Sequence, residues 1–174
     1  MTQTFAQKLA VGGKKNTLGL AEEVVQDVLQ DKSRLVELYD CLFENDEWLR
    51  MRAADALEKV CRVHPEWLES YVDRLFDDLG NGQASFQWHL AQILSEVTLT
   101  STQQDKAIKW LSQTLKDKNI DWIVGSNAMI ALVKFAEADI IPKTQAAELI
   151  RGQQDHRSPS VRKRVAKLLA KLGA

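Results

Sequence analysis

The chain is predicted to be all-α: an α-solenoid of about four stacked helix pairs behind an N-terminal capping helix. Three observations lead there. An apolar phrase recurs four times, a second apolar ladder precedes its first three copies, and a turn residue stands at one fixed offset before each copy. The phrase is Leu49-Arg50-x-x-Ala53-x-x-Ala56-Leu57, then Phe86-Gln87-x-x-Leu90-x-x-Ile93-Leu94, Val124-Gly125-x-x-Ala128-x-x-Ala131-Leu132 and Val161-Arg162-x-x-Val165-x-x-Leu168-Leu169. The copies start 37, 38 and 37 residues apart, a period of stacked repeats rather than of a closed globule.

Residues 1–31 are predicted to form the N-terminal cap and its connector. Val24, Val25, Val28 and Leu29 give this stretch one helical stripe but only a fragment of the phrase. Gly12-Gly13-Lys14-Lys15-Asn16 reads as a mobile connector. It is not a phosphate loop, because the glycine spacing is wrong and the Lys-Ser/Thr ending is missing. The helical repeats are predicted at 32–64, 66–98, 103–137 and 143–172.

Each repeat opens with a helix of the second ladder. Leu35, Leu38 and Leu42 recur as Val72, Leu75 and Leu79, then as Ile108, Leu111 and Leu115. In the fourth repeat the same places hold Gln145, Glu148 and Gly152, and a shift of one residue restores Ala146 and Leu149. That helix is therefore expected to be short or out of register. Turns such as Glu44-Asn45 and Gly80-Asn81-Gly82 follow, and Pro65 and Pro142 fall between repeats, where helices should stop.

The phrase itself is the second helix. Offsets 0, +4, +7, +8 and +11 share one helical face, and Val60, Val97, Phe135 and Leu172 complete it. Three residues before each copy stand Asp46, Gln83, Asp121 and Ser158. Asp and Ser accept hydrogen bonds from the free N–H groups of a first helical turn. Ser158-Pro159 looks the best start of all, with a capping hydroxyl followed by a proline whose missing N–H costs nothing. Gln83 is the weak copy.

This pattern resembles the HEAT-repeat family, whose second helix reads Val-Arg-x-x-Ala-x-x-Ala-Leu after a turn Asp. Leu49-Arg50-x-x-Ala53-x-x-Ala56-Leu57 matches nearly throughout, Val161-Arg162 matches its start and Ala128-x-x-Ala131-Leu132 its end. The likeness covers about residues 32–172, and the whole chain resembles short bacterial HEAT-like proteins of unassigned activity. It implies a right-handed α-solenoid with a protein- or nucleic-acid-binding surface and, by itself, no chemistry. The arginine is Gln87 and Gly125 in the middle repeats, which breaks any continuous Asp–Arg ladder.

Composition narrows the function further. At 174 residues the chain suits one domain. No apolar run reaches the roughly 20 residues needed to cross a bilayer, and the start lacks a secretory signal, so a cytoplasmic protein with no membrane partner is expected. Cys41 and Cys61 are isolated, match no metal spacing and read as buried, reduced thiols. Residues 21–100 carry 17 acids and 7 bases, whereas 141–174 carry 2 acids and 8 bases. Ends of opposite charge can steer a charged partner or drive self-association.

The binding surface is sought where the copies differ. Offsets +2, +6 and +9 of each second helix point away from the buried stripe, and the +3 positions flank them. They hold Met51, Asp55 and Glu58, then Trp88, Gln92 and Ser95, then Ser126, Ile130 and Val133, then Lys163, Lys167 and Ala170. The candidate surface is Arg52, Asp55, Trp88, His89, Gln92, Asn127, Ile130, Lys163, Arg164 and Lys167. Trp88 is its centre, since tryptophans at outward positions are common binding anchors, and Ile130 and Val133 suggest an apolar groove beside it.

Chemistry finds no constellation. His64, His89 and His156 lie in different repeats without a metal-ligand partner at i+3 or i+4, and no His-Glu dipeptide occurs. No metal or cofactor is implied. The expected function is a non-catalytic interaction module with a protein partner. The alternative is a HEAT-like DNA-binding or alkylated-base glycosylase-type enzyme, with Asp55 or Asp121 as its acid. The acidic N-terminal half speaks against it, because phosphate contact requires lysines and arginines along the groove.

Overall fold

The computed structural model describes residues 3–11 and 17–174, and within them every regular element is helical. The glycine-lysine connector predicted at 12–16 lies outside the described residues. Ten α-helices run in order: α1 Phe5–Ala10, α2 Ala21–Gln30, α3 Leu35–Asp40, α4 Glu47–Val63, α5 Val72–Leu79, α6 Ala84–Leu94, α7 Ser101–Thr114, α8 Trp122–Glu137, α9 Lys143–Arg151 and α10 Pro159–Leu172. Short 3-10 turns precede α3 and follow it, and two more precede α5. None of these helices is long and apolar enough to cross a membrane.

The helices gather into two compact units, Met1–Trp67 and Leu68–Ala174. In the first, α4 packs on α1, α2 and α3. In the second, α6 packs on α5 and α8, α8 on α7 and α9, and α10 on both α8 and α9. The phrase helices of the second unit, α6, α8 and α10, are therefore successive neighbours.

The repeated phrase becomes the core. Leu49, Ala53, Ala56, Leu57 and Val60 of α4 are buried, as are Phe86, Leu90, Ile93 and Leu94 of α6 with Val97 just beyond it. Val124, Ala128, Ala131, Leu132 and Phe135 of α8 and Val161, Val165, Leu168 and Leu172 of α10 follow suit. Only Leu169 of the stripe is half-buried. The ladder of first helices is buried at Leu35, Leu38, Leu42, Val72, Leu75, Leu79, Leu111 and Leu115, and Ile108 is half-buried. In α9 the shifted register holds in part: Gln145 and Glu148 are exposed and Ala146 is buried, but Leu149 is half-buried and Ala147 and Ile150 complete the buried face. The third place of the shifted ladder falls on Gln153, which is fully buried.

All four predicted start residues are N-caps, by two different means. Asp46 Oδ1 accepts from the Trp48 and Leu49 N–H groups at 2.8 and 3.1 Å, and Asp121 Oδ1 accepts from Ile123 and Val124 at 2.8 and 3.3 Å. The Leu49 and Trp48 N–H bonds, helped by Arg52 and Arg50, hold the Asp46 carboxyl below its ordinary pKa. Ser158 corrects the expectation. Its hydroxyl makes no cap bond and pairs instead with the Ser160 hydroxyl at 2.8 Å, so Pro159 alone favours that start. Asp121→Ala should therefore lower stability by about 1 kcal/mol. Ser158→Ala should leave the thermal midpoint unchanged, and a paired melting experiment checks both.

The phrase's second residue has a repeated task. Arg50 Nη1 donates to the Glu44 and Asn45 carbonyls at 2.8 and 3.0 Å, and Arg162 Nη1 to the His156 and Arg157 carbonyls at 2.7 and 3.1 Å. Gln87 Nε2 donates to Gly82 O at 3.0 Å. Each of these side chains reaches the carbonyl of the residue just before the cap, so the arginine ties down its own turn. In the third copy Gly125 has no side chain to offer, and a Cβ there would sit 3.0 Å from the Ile120 Cγ2 methyl. The equivalent carbonyl, Ile120 O, is instead held by His156 Nε2 at 2.9 Å. In all four turns the carbonyl just before the cap is thus satisfied by a side chain: arginine twice, then glutamine and histidine.

The first unit carries a helix that periodicity had missed. Thr4 and Gln7 form a reciprocal capping box at the start of α1, and Phe5 and Leu9 are fully buried. Glu37 Oε1 accepts from the Phe5 N–H at 2.7 Å, and the Arg34 guanidinium lies 3.8 Å over the Phe5 ring. Lys8 reaches Asp27 at 2.6 Å, and Arg34 joins Asp27 at 3.2 Å to Glu37 at 2.8 Å. The Lys8 hydrogen bond, against a smaller opposing effect of burial, holds the Asp27 carboxyl below its ordinary pKa.

Candidate functional site

The ten predicted surface residues divide between the two units. Arg52 and Asp55 belong to the first, and the other eight to the second. In the first unit Arg52 is not on the surface. It is 4 % exposed and donates to Leu9 O and Thr17 O, each at 2.7 Å. The Leu9 and Thr17 carbonyls lie over the +3 position of α4, and the guanidinium directs its planar donors to them. Asp55 is half-buried and paired with Lys59 at 3.1 Å. Burial favours the neutral amine of Lys59, but Asp55 and Glu22 outweigh it and raise the lysine's pKa. Glu58, another outward offset, is buried and held by Arg62 at 2.6 Å.

In the second unit the prediction separates into three groups. His89 is 5 % exposed, so the +3 position of α6 is interior as it is in α4. Ser126 and Val133, at outward offsets of α8, are also buried. Helix α8 is packed by α6, α7, α9 and α10, so only the stripe from Trp122 and Ile123 through Asn127, Ile130 and Lys134 to Glu137 reaches solvent. The apolar groove expected from Ile130 and Val133 together loses Val133.

What remains half-open is a narrower patch. Trp88, Gln92, Asn127 and Ile130 are all half-buried. Trp88 and Gln92 stand one turn apart on α6, and Asn127 and Ile130 lie on the neighbouring α8. Asn127 Nδ2 is turned back to its own helix, donating to Ile123 O at 3.0 Å. Gln92 Oε1 is sealed from solvent and has no hydrogen-bond partner among the described residues. A buried acceptor left unpaired costs about 1–3 kcal/mol. At the edge of this patch Glu96 of the α6 C-terminal turn is paired with Lys134 of α8. The third group, Lys163, Arg164 and Lys167 on α10, is exposed.

Other chemically notable side chains have structural tasks. His156 is 1 % exposed and uses both ring nitrogens: Nε2 donates to Ile120 O, and Nδ1 accepts from the Ser158 N–H at 2.9 Å. This arrangement requires the neutral ring with its proton on Nε2. Gln153 Nε2 donates to Leu115 O at 2.6 Å and Asp117 O at 3.2 Å, satisfying the end of α7. Both residues tie the α9–α10 turn to the α7–α8 turn. The sequence assigned neither residue a task; the shifted leucine ladder was the available signal for Gln153.

Cys41 is buried and its Sγ points to Glu37 O at 3.3 Å. Burial, reinforced by Glu44, Glu37 and Asp40, pushes its thiol up to about 12, so it is no nucleophile near neutrality. Cys61 is also buried. No group of three His, Cys, Asp or Glu side chains among the described residues is placed to hold a metal ion. The two aspartates considered as a glycosylase acid are occupied, Asp55 by Lys59 and Asp121 by its cap. No family model, curated protein or solved structure matches the chain.

Proposed function

We propose that the chain is a HEAT-like α-solenoid acting as a non-catalytic interaction module, and that it docks a protein partner on the patch around Trp88. The scaffold half of this reading is supported by the equivalent turns. Four phrase helices begin at the same offset, bury the same face and have the same pre-cap carbonyl satisfied. The succession α6, α8, α10 in the second unit, each with its own first helix, is what stacked helix pairs produce.

The docking half rests on one observation. Trp88 is a half-buried tryptophan beside a neighbour, Gln92, whose carbonyl oxygen lacks a partner. Binding anchors are typically aromatic groups in partly desolvated settings. Ile130 adds apolar area on the adjacent helix. The partner is expected to present an apolar side chain to Trp88 and Ile130.

Trp88→Ala tests this directly. The variant is expected to keep its helical content and to lose the proteins captured by the wild-type chain in affinity purification. An unchanged set of captured proteins, with the fold intact, would remove the patch from consideration.

A further inference from the structure

The outer face of α10 carries charge that the fold does not use. Residues 141–174 hold 8 bases and 2 acids. Two of those bases are engaged: Arg162 holds its turn, and Lys171 pairs with Glu137 at 2.7 Å. Lys163, Arg164 and Lys167 are exposed and make no hydrogen bond or ion pair among the described residues. Lys163, Lys167 and Lys171 follow one another at single-turn spacing, which sets like charges side by side and weakens a helix. From Lys163 to Lys171 the stripe covers about 12 Å of helix axis.

The composition of this face selects its partner. Apart from the cations, the exposed residues of α10 are Pro159, Ser160, Ala166 and Ala170, so the face offers no large apolar anchor. Protein interfaces are depleted in lysine and draw their affinity from buried aromatic and apolar groups. An anionic membrane would use the cations, but stable attachment needs a second, apolar signal. The apolar stripe of α10 is consumed by the core at Val161, Val165, Leu168 and Leu172. A phosphate backbone needs neither, because displacement of its condensed counterions supplies the driving force.

We propose that this face of α10 is a sequence-independent nucleic-acid contact, with Lys163, Arg164 and Lys167 on the phosphates. It does not rest on the reading of the Trp88 patch, and Trp88→Ala should leave it unchanged.

The test is fluorescence anisotropy with a labelled random-sequence DNA duplex and the full chain. For three phosphate contacts the log–log salt slope should be about −2.7, so raising salt from about 50 to about 200 mM should weaken binding about 40-fold. Lys163→Glu with Lys167→Glu should abolish binding at the lower salt. Lys163→Gln with Lys167→Gln should weaken it and flatten the slope, which covers a failure of the reversed variant to fold. Lys116→Glu with Lys118→Glu, an equal charge change on an exposed turn, should have little effect. No duplex binding at low salt would overturn the proposal, as would equal loss in the Lys116/Lys118 variant. Binding to phosphatidylserine vesicles without binding to duplex would overturn it as well.

Discussion

Arg52→Ala is expected to lower stability by about 3 kcal/mol, and to free α1 before the rest of the first unit unfolds. The guanidinium is buried and supplies charge-assisted hydrogen bonds to Leu9 O and Thr17 O. Truncation leaves both carbonyls without that donor and opens a void beneath them. Arg52→Lys should recover little, since one ammonium cannot reproduce a planar fork with donors facing two carbonyls. Thermal melting reads the size of the loss, and amide hydrogen exchange across Phe5–Ala10 reads its location. Equal protection of α1 in wild type and variant would show that Arg52 does not hold it.

Acid should act on the same corner. Asp27, bonded to Lys8 and Arg34, has its pKa lowered by folding. A carboxyl depressed in this way contributes stability above its unfolded pKa and loses that contribution as pH falls through the folded value. The contribution of the Lys8–Asp27 tie is therefore intact at neutral pH and declines below about pH 4. Asp27→Asn should remove this part of the acid dependence, which melting temperatures between neutral and acid pH would resolve.

His156→Ala is the second large effect, expected at about 3 kcal/mol from the lost bonds and the cavity together. It strips Ile120 O and the Ser158 N–H of their partners in a partly buried turn. The damage should centre on the α7–α8 and α9–α10 turns. Gln153, which holds Leu115 O and Asp117 O in the same pair of turns, should be coupled to it. A double-mutant cycle with Gln153→Ala is expected to show non-additivity of about 0.5 kcal/mol or more. Strict additivity would mean that the two ties act independently.

These residues mark where local pattern stops being informative. The phrase, the leucine ladder and the starts at Asp46, Gln83, Asp121 and Ser158 were legible because helix periodicity and capping depend on neighbours within a few residues. Even the one-residue shift in α9 could be read from Ala146 and Leu149. Arg52 and His89 were placed on an outward surface because an offset gives an angle around a helix, not what covers that angle. Arg52 is covered by a segment whose carbonyls lie 43 and 35 residues earlier. His156 meets a carbonyl 36 residues away, and no spacing rule announces such a contact.

The arginine of the phrase shows the same limit in reverse. Its loss at Gln87 and Gly125 looked like a broken ladder between repeats. Its role is within the repeat, holding the carbonyl before the cap, so Gln87 can replace it with a single amide. At Gly125 the duty passes to His156 of the following turn. Trp88 and Gln92 were singled out from sequence because they lie on the face where copies diverge. Their half-burial, and the unpaired Gln92 oxygen, depend on how closely α8 approaches α6.

The claim that the Trp88 patch is the docking surface is tested most directly by contact mapping in the native host. A photo-crosslinking amino acid in place of Gln92 should give one dominant protein adduct, lost when Trp88 is also changed to alanine. The same probe at exposed Lys116 should give none. Adducts at Lys116 but not at Gln92, or adducts at Gln92 that survive Trp88→Ala, would contradict it.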